Sequence, residues 1–423
     1  MLFAGVVSGC TEKNTIAPDL GFLQVNPRTI EVLIPYEDFV DEVQVFGGYG
    51  SAADLGYGAI ALDFGGLNAR TLVHLEDLPT PADVPGSSFV GGRVLLVFDT
   101  VNGSLDVPVD VELFDVREEW HPPTATWEVV VDTAGDRRLW TQPGGGPTTL
   151  LGRASFDAFS ARATDEAAAL VDTVSIAVDS ATVAALGNPT GGTTGLLLAV
   201  ADAGALLNLM DVGLLITAVS TTGADTVSEV RVENIDLTFM VDPLPTAPVG
   251  WLRVGGTPSW RSVITISLPQ TVDGTAEVCG TVGCQVDLTE VVVNIAELAL
   301  TTRQTESAFQ PQGATLLDLR SVLNPKLLPK SPLGGAVLPV VEHIPPELFS
   351  VQAGTPVFLS VTRLVKAILS IAAETDTVPD ASMALVSAVE PNMVGFASFE
   401  GAGGAGAPAL RLLYTIANDV GLP

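Results

Sequence analysis

Two of the three cysteines are spaced for bonding to each other. Cys279 and Cys284 are separated by four residues, two of them glycines, which suits the turn of a β-hairpin. The flanking runs 275–278 and 285–288 are predicted strands, and facing residues of an antiparallel pair lie near disulfide reach. We therefore predict a local disulfide, which is typical of an oxidising, extracytoplasmic compartment.

Residues that bind metals are dispersed along the chain. A zinc site at the cysteine pair needs two further ligands, and the histidines stand singly, at His74, His121 and His343. Asp106, Asp110 and Glu112 share one face of a predicted strand and carry the oxygen ligands that Ca²⁺ prefers. Alternate side chains of a strand are about 7 Å apart, so a solvated acidic face is favoured over a calcium site. We predict no metal and no cofactor.

The third cysteine follows a short apolar run. Residues 7–10, Val-Ser-Gly-Cys, resemble the lipobox of a bacterial lipoprotein, in which a peptidase cuts before the cysteine. The Cys10 thiol would then accept a diacylglyceryl group, and several acyl chains together anchor stably. No basic residue precedes Cys10, so we interpret 1–9 as a signal peptide remnant and 10–30 as a lipidated tether. A chance cysteine behind a frayed apolar N-terminus is the alternative.

Sugar rings stack on exposed aromatic faces, which makes the tryptophans candidate contacts. The chain has five of them, Trp120, Trp127, Trp140, Trp251 and Trp260. Trp120 and Trp127 border alternating strands, so we expect them to plug the ends of a β-sandwich. Trp140 stands beside Arg137 and Arg138 in a stretch rich in turns, where an exposed aromatic with adjacent Arg can stack on a sugar or anchor an interface. We predict that Trp140, Arg137 and Arg138 are the ligand-binding residues.

Common catalytic signatures are missing from the sequence. Neither Gly-x-Ser-x-Gly nor His-Glu-x-x-His occurs, and no glycine-rich phosphate loop is present. A glycosidase requires only two carboxylates about 5–10 Å apart, which the 49 acidic residues leave open. We predict a protein with no catalytic residues, and keep a polysaccharide-degrading enzyme as an alternative.

The chain is strongly acidic. Its 49 Asp and Glu against 19 Lys and Arg give a net charge of −30. Such a surface repels the phosphates of nucleic acids and anionic lipid headgroups. We therefore expect no nucleic-acid partner and a membrane contact that comes from the lipid anchor.

Short runs of Val, Leu, Ile and Thr punctuated by Gly and Pro predict an all-β protein. In residues 107–113, Val107, Val109, Val111 and Leu113 alternate with polar residues or proline, as in a half-buried antiparallel strand. The apolar segment 195–219 contains two aspartates, which disfavour a membrane span. Buried strands broken at 203–204 and 212–213 are the better interpretation.

The sequence also repeats itself. Residues 69–79 match 260–269 in an Arg, an alternating strand and a Leu-Pro pair, and 174–179 leading to 195–198 match 357–362 leading to 382–385. The two offsets agree within loop variation. We predict two tandem antiparallel β-sandwich domains, 31–242 and 243–423, joined by the Pro-rich stretch 243–248.

Three stretches resemble a known family. They are the Arg-strand-Leu-Pro element, the strand 111–120 ending in Trp120 and followed by Thr-Ala-Thr-Trp at 124–127, and the closing pattern of 396–400 with 408–414. They are similar to the DNRLRE-type jelly-roll modules of bacterial surface proteins, which are related to carbohydrate-binding modules. The resemblance covers most of residues 40–420 and implies a jelly-roll fold.

These observations predict a non-enzymatic protein anchored by lipid to the bacterial envelope, at the outer membrane or cell surface. It would act in adhesion, glycan binding or structural envelope assembly, with a polysaccharide or an envelope protein as partner. An accessory subunit of a larger envelope complex is the alternative class, because a mean hydropathy of +0.42 leaves apolar surface for a partner to cover.

Overall fold

The computed structural model describes residues 28–47, 52–75, 78, 83–84, 86–157, 171–186, 194–221, 227–232, 235–246, 248–274, 279, 284–389, 394–403 and 406–416. Within them the protein is all-β and built from antiparallel sheets, as predicted. The proposed signal peptide remnant, Cys10 and most of the tether lie outside these ranges, while Arg28 to Ile30 already belong to the first strand. No helix in the described part has the length and apolarity needed to cross a membrane.

Within the described residues, fourteen strands and two short α-helices precede residue 250. They are β1 (Arg28–Ile34), α1 (Tyr36–Phe39), β2 (Val40–Phe46), β3 (Gly58–Phe64), β4 (Leu67–Leu75), β5 (Ser87–Ser104), β6 (Val109–Val116), β7 (Val129–Thr133), β8 (Asp136–Leu139), β9 (Leu150–Phe156), β10 (Val171–Asp179), α2 (Ser180–Leu186), β11 (Gly195–Val200), β12 (Ala205–Ser220), β13 (Val227–Val232) and β14 (Ile235–Asp242) in the described residues.

Twelve strands and one long helix follow in the described residues. They are β15 (Trp251–Gly255), β16 (Arg261–Ile266), β17 (Thr271–Asp273), β18 (Gln285–Asp287), β19 (Val292–Thr301), β20 (Thr315–Val322), β21 (Leu333–Ala336), β22 (Glu342–Ile344), β23 (Pro356–Ser360), α3 (Thr362–Thr375), β24 (Ala381–Ser387), β25 (Phe396–Glu400) and β26 (Ala409–Ile416).

Strands β3 to β6 and β9 to β14 form one sheet, which we call the N-terminal unit. Its hydrogen-bonded order is β10-β5-β12-β3-β4-β11-β6-β9, with β13 added beside β12 and β14 beside β4. The sheet curls until its end strands, β9 and β10, meet. At Gly152 of β9 the strands are so close that a side-chain Cβ there would lie only 2.7 Å from Cγ2 of Ile176 on β10. Its inner side is apolar because alternate residues of each strand, such as Val109, Val111 and Leu113, are buried there.

Two facing sheets, with the two-stranded pairs β15–β25 and β17–β18, make up the C-terminal unit. One has the order β1-β26-β19-β23, and the other has the order β2-β16-β24-β20-β21, with β22 also on β20. Both sheets contribute to one apolar core, for example through Leu298 and Leu412 of the first and Ile264 and Leu385 of the second. This unit is a β-sandwich in the sense predicted.

The same strand pairing recurs in the two units. Strand β11 lies between β4 and β6, as β24 lies between β16 and β20. Strand β10 pairs with β5 and leads into α2, as β23 pairs with β19 and leads into α3. The long β12 pairs with both β3 and β5. In the C-terminal unit two separate strands take these positions, since β25 pairs with β15 and β26 pairs with β19. The segments aligned as a repeat thus hold equivalent positions.

The C-terminal unit takes one pair of strands from the start of the chain. In the N-terminal unit, β13 and β14 pair with β12 and β4. The equivalent places beside β26 and β16 are taken by β1 and β2, from the far end of the chain. Residues 28–46 therefore pair within the C-terminal unit, which differs from the predicted division at 31–242 and 243–423. The physical reason is that backbone hydrogen bonds hold an edge strand to its neighbour, and these bonds form equally well between segments that are distant in sequence.

Three local features also differ from expectation. Residues Val212 and Gly213 lie inside β12, which absorbs an irregularity of register nearby between Leu209 and Asp211; the break at 203–204 is a turn, as predicted. Val107 precedes β6 and is exposed. Helix α3 was missed, although its buried Val365, Ile368, Leu369 and Ala372 have helical spacing.

A separate apolar cluster joins the units. Ala59, Ala69 and Leu206 of the N-terminal unit pack in it with Trp260 and Phe396 of the C-terminal unit. A polar contact lies beside it, since the Ser307 hydroxyl donates to the Gly65 carbonyl at 2.8 Å. The units therefore meet through packed side chains and through this hydrogen bond.

Candidate functional site

The predicted contact residues Arg137, Arg138 and Trp140 belong to a cap on the N-terminal unit. The chain between β6 and β9 forms the hairpin β7–β8, which packs on the outer face of β4, β11 and β14. Its apolar side chains form one cluster with outward-facing residues of the sheet, made of Leu72, Val116, Trp120, Ala125, Val130, Val131, Trp140, Leu197, Ala199 and Met240. The cap thus covers sheet surface that would otherwise face water.

The expectation that Trp140 is exposed is wrong. Its side chain is 4% exposed, and its indole nitrogen donates a hydrogen bond to the Thr126 carbonyl at 2.8 Å. A tryptophan is enclosed in this way when its large apolar surface is buried and its N–H still finds a partner. Trp140 is therefore a packing residue of the cap. Trp120, which was expected to plug the end of a β-sandwich, is also buried, and it lies in the same cluster.

Arg137 and Arg138 lie on the surface of the same hairpin. Arg137 contacts Asp132 at 3.4 Å, and Arg138 contacts Asp136 at 3.2 Å. The guanidinium that stacks on the cap is that of Arg70, 5.1 Å from the Trp127 ring, with its Nη1 donating to the Gly144 carbonyl at 2.7 Å. Burial lowers the pKa of Arg70, a shift opposed by the charge of Glu112. The three predicted binding residues thus do not share one exposed surface.

The disulfide prediction is confirmed. Cys279 and Cys284 are bonded, with their Cα atoms 5.2 Å apart. The bond closes the small hairpin β17–β18, in which the Gly274 amide donates to the Cys284 carbonyl at 2.8 Å. Residues 275–278, predicted as one of the flanking strands, lie outside the described residues, and the observed strand is Thr271–Asp273.

The acidic strand considered for calcium is engaged with an arginine. Arg153 lies 2.6 Å from Glu112 and 3.7 Å from Asp110. In the described part of the chain, no group of three or more His, Cys, Asp or Glu residues is arranged to hold a metal ion. Asp110 and Glu112 therefore form an ion-paired face with Arg153.

A concave site that the sequence did not single out lies in the C-terminal unit. It is a cleft of about 620 Å³ at the end of β15, β19 and β25, lined by Trp251, Thr302, Arg303, Gln304, Thr305, Glu306, Ser307, Ala353, Gly354 and Glu400. This volume is within the range of small-ligand sites, which often occur between domains. The cleft borders the N-terminal unit, because Ser307 contacts Gly65.

A stack of three side chains forms one wall of this cleft. The Arg303 guanidinium lies 3.6 Å from the Trp251 ring centroid, and its Nη1 donates to both carboxylate oxygens of Glu400, at 2.8 and 3.0 Å. Trp251 and Glu400 meet because they are directly paired in the register of β15 and β25. The arginine orients the indole and neutralises the carboxylate, so the wall is rigid and polar at its rim.

A second ion pair supports the floor. Arg253 is 2% exposed, lies 3.9 Å from the Phe396 ring centroid, and donates to Glu306 at 2.6 Å. Burial lowers the pKa of Arg253, and the neighbouring Glu306 opposes that shift. Because Glu306 also lines the cleft, its carboxylate is held in place from behind.

The cleft was not found from the sequence because its parts are distant along the chain. Trp251 was noted only as a tryptophan near the start of the second half, and Glu400 only within the closing strand pattern. The register of β15 against β25 brings Trp251 and Glu400 together, and the residue types alone do not predict that register.

No known protein-family model matches this chain, and no curated protein matches it significantly.

Proposed function

We propose that this protein is a non-catalytic, lipid-anchored glycan-binding protein of the bacterial envelope, and that the Trp251 cleft is its glycan site. The observation that carries the proposal is the tryptophan held by Arg303 beside the polar groups of a concave site. A sugar offers apolar ring surface and a rim of hydroxyls, which match the Trp251–Arg303 stack and the neighbouring carboxylate and amide groups of the cleft.

The state of the two carboxylates supports binding without hydrolysis. A retaining or inverting glycosidase needs one carboxylic acid that delivers a proton to the glycosidic oxygen. Glu306 and Glu400 each accept hydrogen bonds from an arginine instead.

The disulfide and the net charge bear on the compartment of the protein and on the charge of its ligand. A bond between Cys279 and Cys284 is typical of an oxidising compartment. With a net charge of −30, the protein repels anionic polymers, so an uncharged polysaccharide is the proposed ligand.

Binding is tested on an array of neutral and acidic bacterial polysaccharide fragments with the soluble chain from residue 11. Trp251→Ala should weaken binding roughly thirtyfold, the effect of losing an anchor worth about 2 kcal/mol. Glu400→Gln keeps the shape of the wall and should also weaken binding. Trp127→Ala is the matched control, because Trp127 is likewise stacked on an arginine but lies in the cap.

Two results would contradict the glycan proposal. One is an array without binding to any fragment. The other is full binding by both Trp251→Ala and Glu400→Gln in proteins that remain folded by circular dichroism.

Lipid anchoring is tested separately. With a complete signal peptide supplied, the protein should partition into the detergent phase, and Cys10→Ser should move it to the aqueous phase, since the acyl chains supply the membrane affinity. Equal partitioning of the two forms would show that Cys10 carries no anchor.

A further inference from the structure

One N-terminal segment completes the C-terminal unit. Residues 28–46, which we call the donor segment, place β1 at the edge of one sheet and β2 at the edge of the other. Strand β1 pairs with β26 along its whole length, from Arg28 opposite Ile416 to Ile34 opposite Leu410. Strand β2 pairs with β16 in the same way.

The donor segment also fills the core of that unit. Ile30, Ile34 and Phe39 are 4, 3 and 2% exposed and belong to the apolar cluster shared by both sheets. On the outer face, Arg411 of β26 donates to Glu31 at 2.8 Å and to Glu297 of β19 at 2.7 Å. The hydrogen bond from Arg411 lowers the pKa of Glu31. Backbone, core and surface contacts all bind the segment to the C-terminal unit.

The sheet of the N-terminal unit does not pair with the donor segment, and Val45 alone of that segment packs against the apolar cluster between the units. The equivalent edges of the N-terminal unit are occupied by β13 and β14, so its ten-strand sheet is complete without residues 28–46. Only the connection 47–57 joins the donor segment to β3. The C-terminal unit therefore has an acceptor site, formed by the edges of β26 and β16, and the donor segment that fills it is connected to the N-terminal unit by one stretch of chain.

We propose that the donor segment of one molecule also completes the C-terminal unit of a second copy of this chain. The contacts with β26 and β16 are the same whichever molecule supplies the segment, which makes exchange a low-cost route to assembly. When one molecule donates to another, the recipient's own donor segment and the first molecule's acceptor are left over. These two either pair with each other in a closed dimer or take further molecules head to tail.

The test uses a pair of facing threonines. Thr29 of β1 and Thr415 of β26 are opposite each other, with hydroxyl oxygens 3.3 Å apart. In a Cys10→Ser background, chains with Thr29→Cys alone are mixed with chains carrying Thr415→Cys alone, unfolded, refolded together and then oxidised. Unfolding is done at acidic pH, where protonated thiols leave the Cys279–Cys284 bond intact.

Exchange predicts a covalent product of twice the chain mass that links position 29 of one molecule to position 415 of another. Chains with both substitutions should give internally bonded monomers together with a ladder of larger products. The control mixes Thr29→Cys with Ser228→Cys, because Ser228 lies on the equivalent edge strand β13 and reports random collision.

Three results would overturn the proposal. The mixed chains give no linked product while the double variant closes only within one molecule; the control mixture gives as much product as the test mixture; or the double variant forms no 29–415 bond of either kind.

Discussion

Replacing Phe39 with alanine is expected to destabilise the C-terminal unit by about 3–5 kcal/mol, the usual cost of removing a buried phenylalanine. Phe39 is 2% exposed and packs in the core between the two sheets of that unit. Its loss leaves a cavity and weakens the docking of β1 and β2. Amide hydrogen exchange should show faster opening of β26 and β16, with denaturant unfolding giving the change in free energy.

The control for this prediction is Phe358→Ala. Phe358 lies on the outer face of the same unit and is 45% exposed, so its loss should cost about 1 kcal/mol or less. Phe39→Ala could instead accelerate hydrogen exchange in β4 and β12 while β26 and β16 stay protected. That result would refute the assignment of β1 and β2 to the C-terminal unit.

Replacing Trp140 with alanine is expected to cost about 3–5 kcal/mol in the stability of the cap, as for other buried tryptophans. The substitution removes an enclosed indole and leaves the Thr126 carbonyl without its donor. Amides of β7 and β8 should lose protection from hydrogen exchange. Trp140→Phe, which keeps most of the apolar contact, should cost less because mainly the hydrogen bond is lost.

Leu139→Ala is the matched control in the adjacent position. Leu139 is 63% exposed, so its truncation should change stability by no more than about 0.5 kcal/mol. An unchanged cap in Trp140→Ala would restore the view of Trp140 as a surface residue. In that case Arg137, Arg138 and Trp140 would again be the candidates for ligand contact.

The fold class was predictable from the sequence because it depends on local patterns. Alternation in residues 109–113 reports that one face of a strand is buried, and Val109, Val111 and Leu113 are all buried in β6. The disulfide was predictable for a similar reason, since a hairpin of fixed length brings its two ends together. Helix α3 carried an equally local pattern and was missed because the β-rich surroundings were extended across it.

The site was not predictable in the same way. A turn-rich, charged context made Trp140 look exposed, but exposure depends on what packs over a residue, and here the hairpin folds back on its own sheet. The cleft needs Trp251 and Glu400 to be neighbours, which follows only from the register of β15 against β25.

The sequence by itself therefore determined the all-β class, the alternation of its strands, the Cys279–Cys284 bond and the existence of repeated elements. Only the tertiary structure decided which sheet each edge strand joins, that residues 28–46 complete the distant unit, and which tryptophan lines a cleft. The reason is physical: backbone hydrogen bonds across a sheet edge are alike for every strand, so the choice between acceptors is made by burial of Ile30, Ile34 and Phe39 in a particular core.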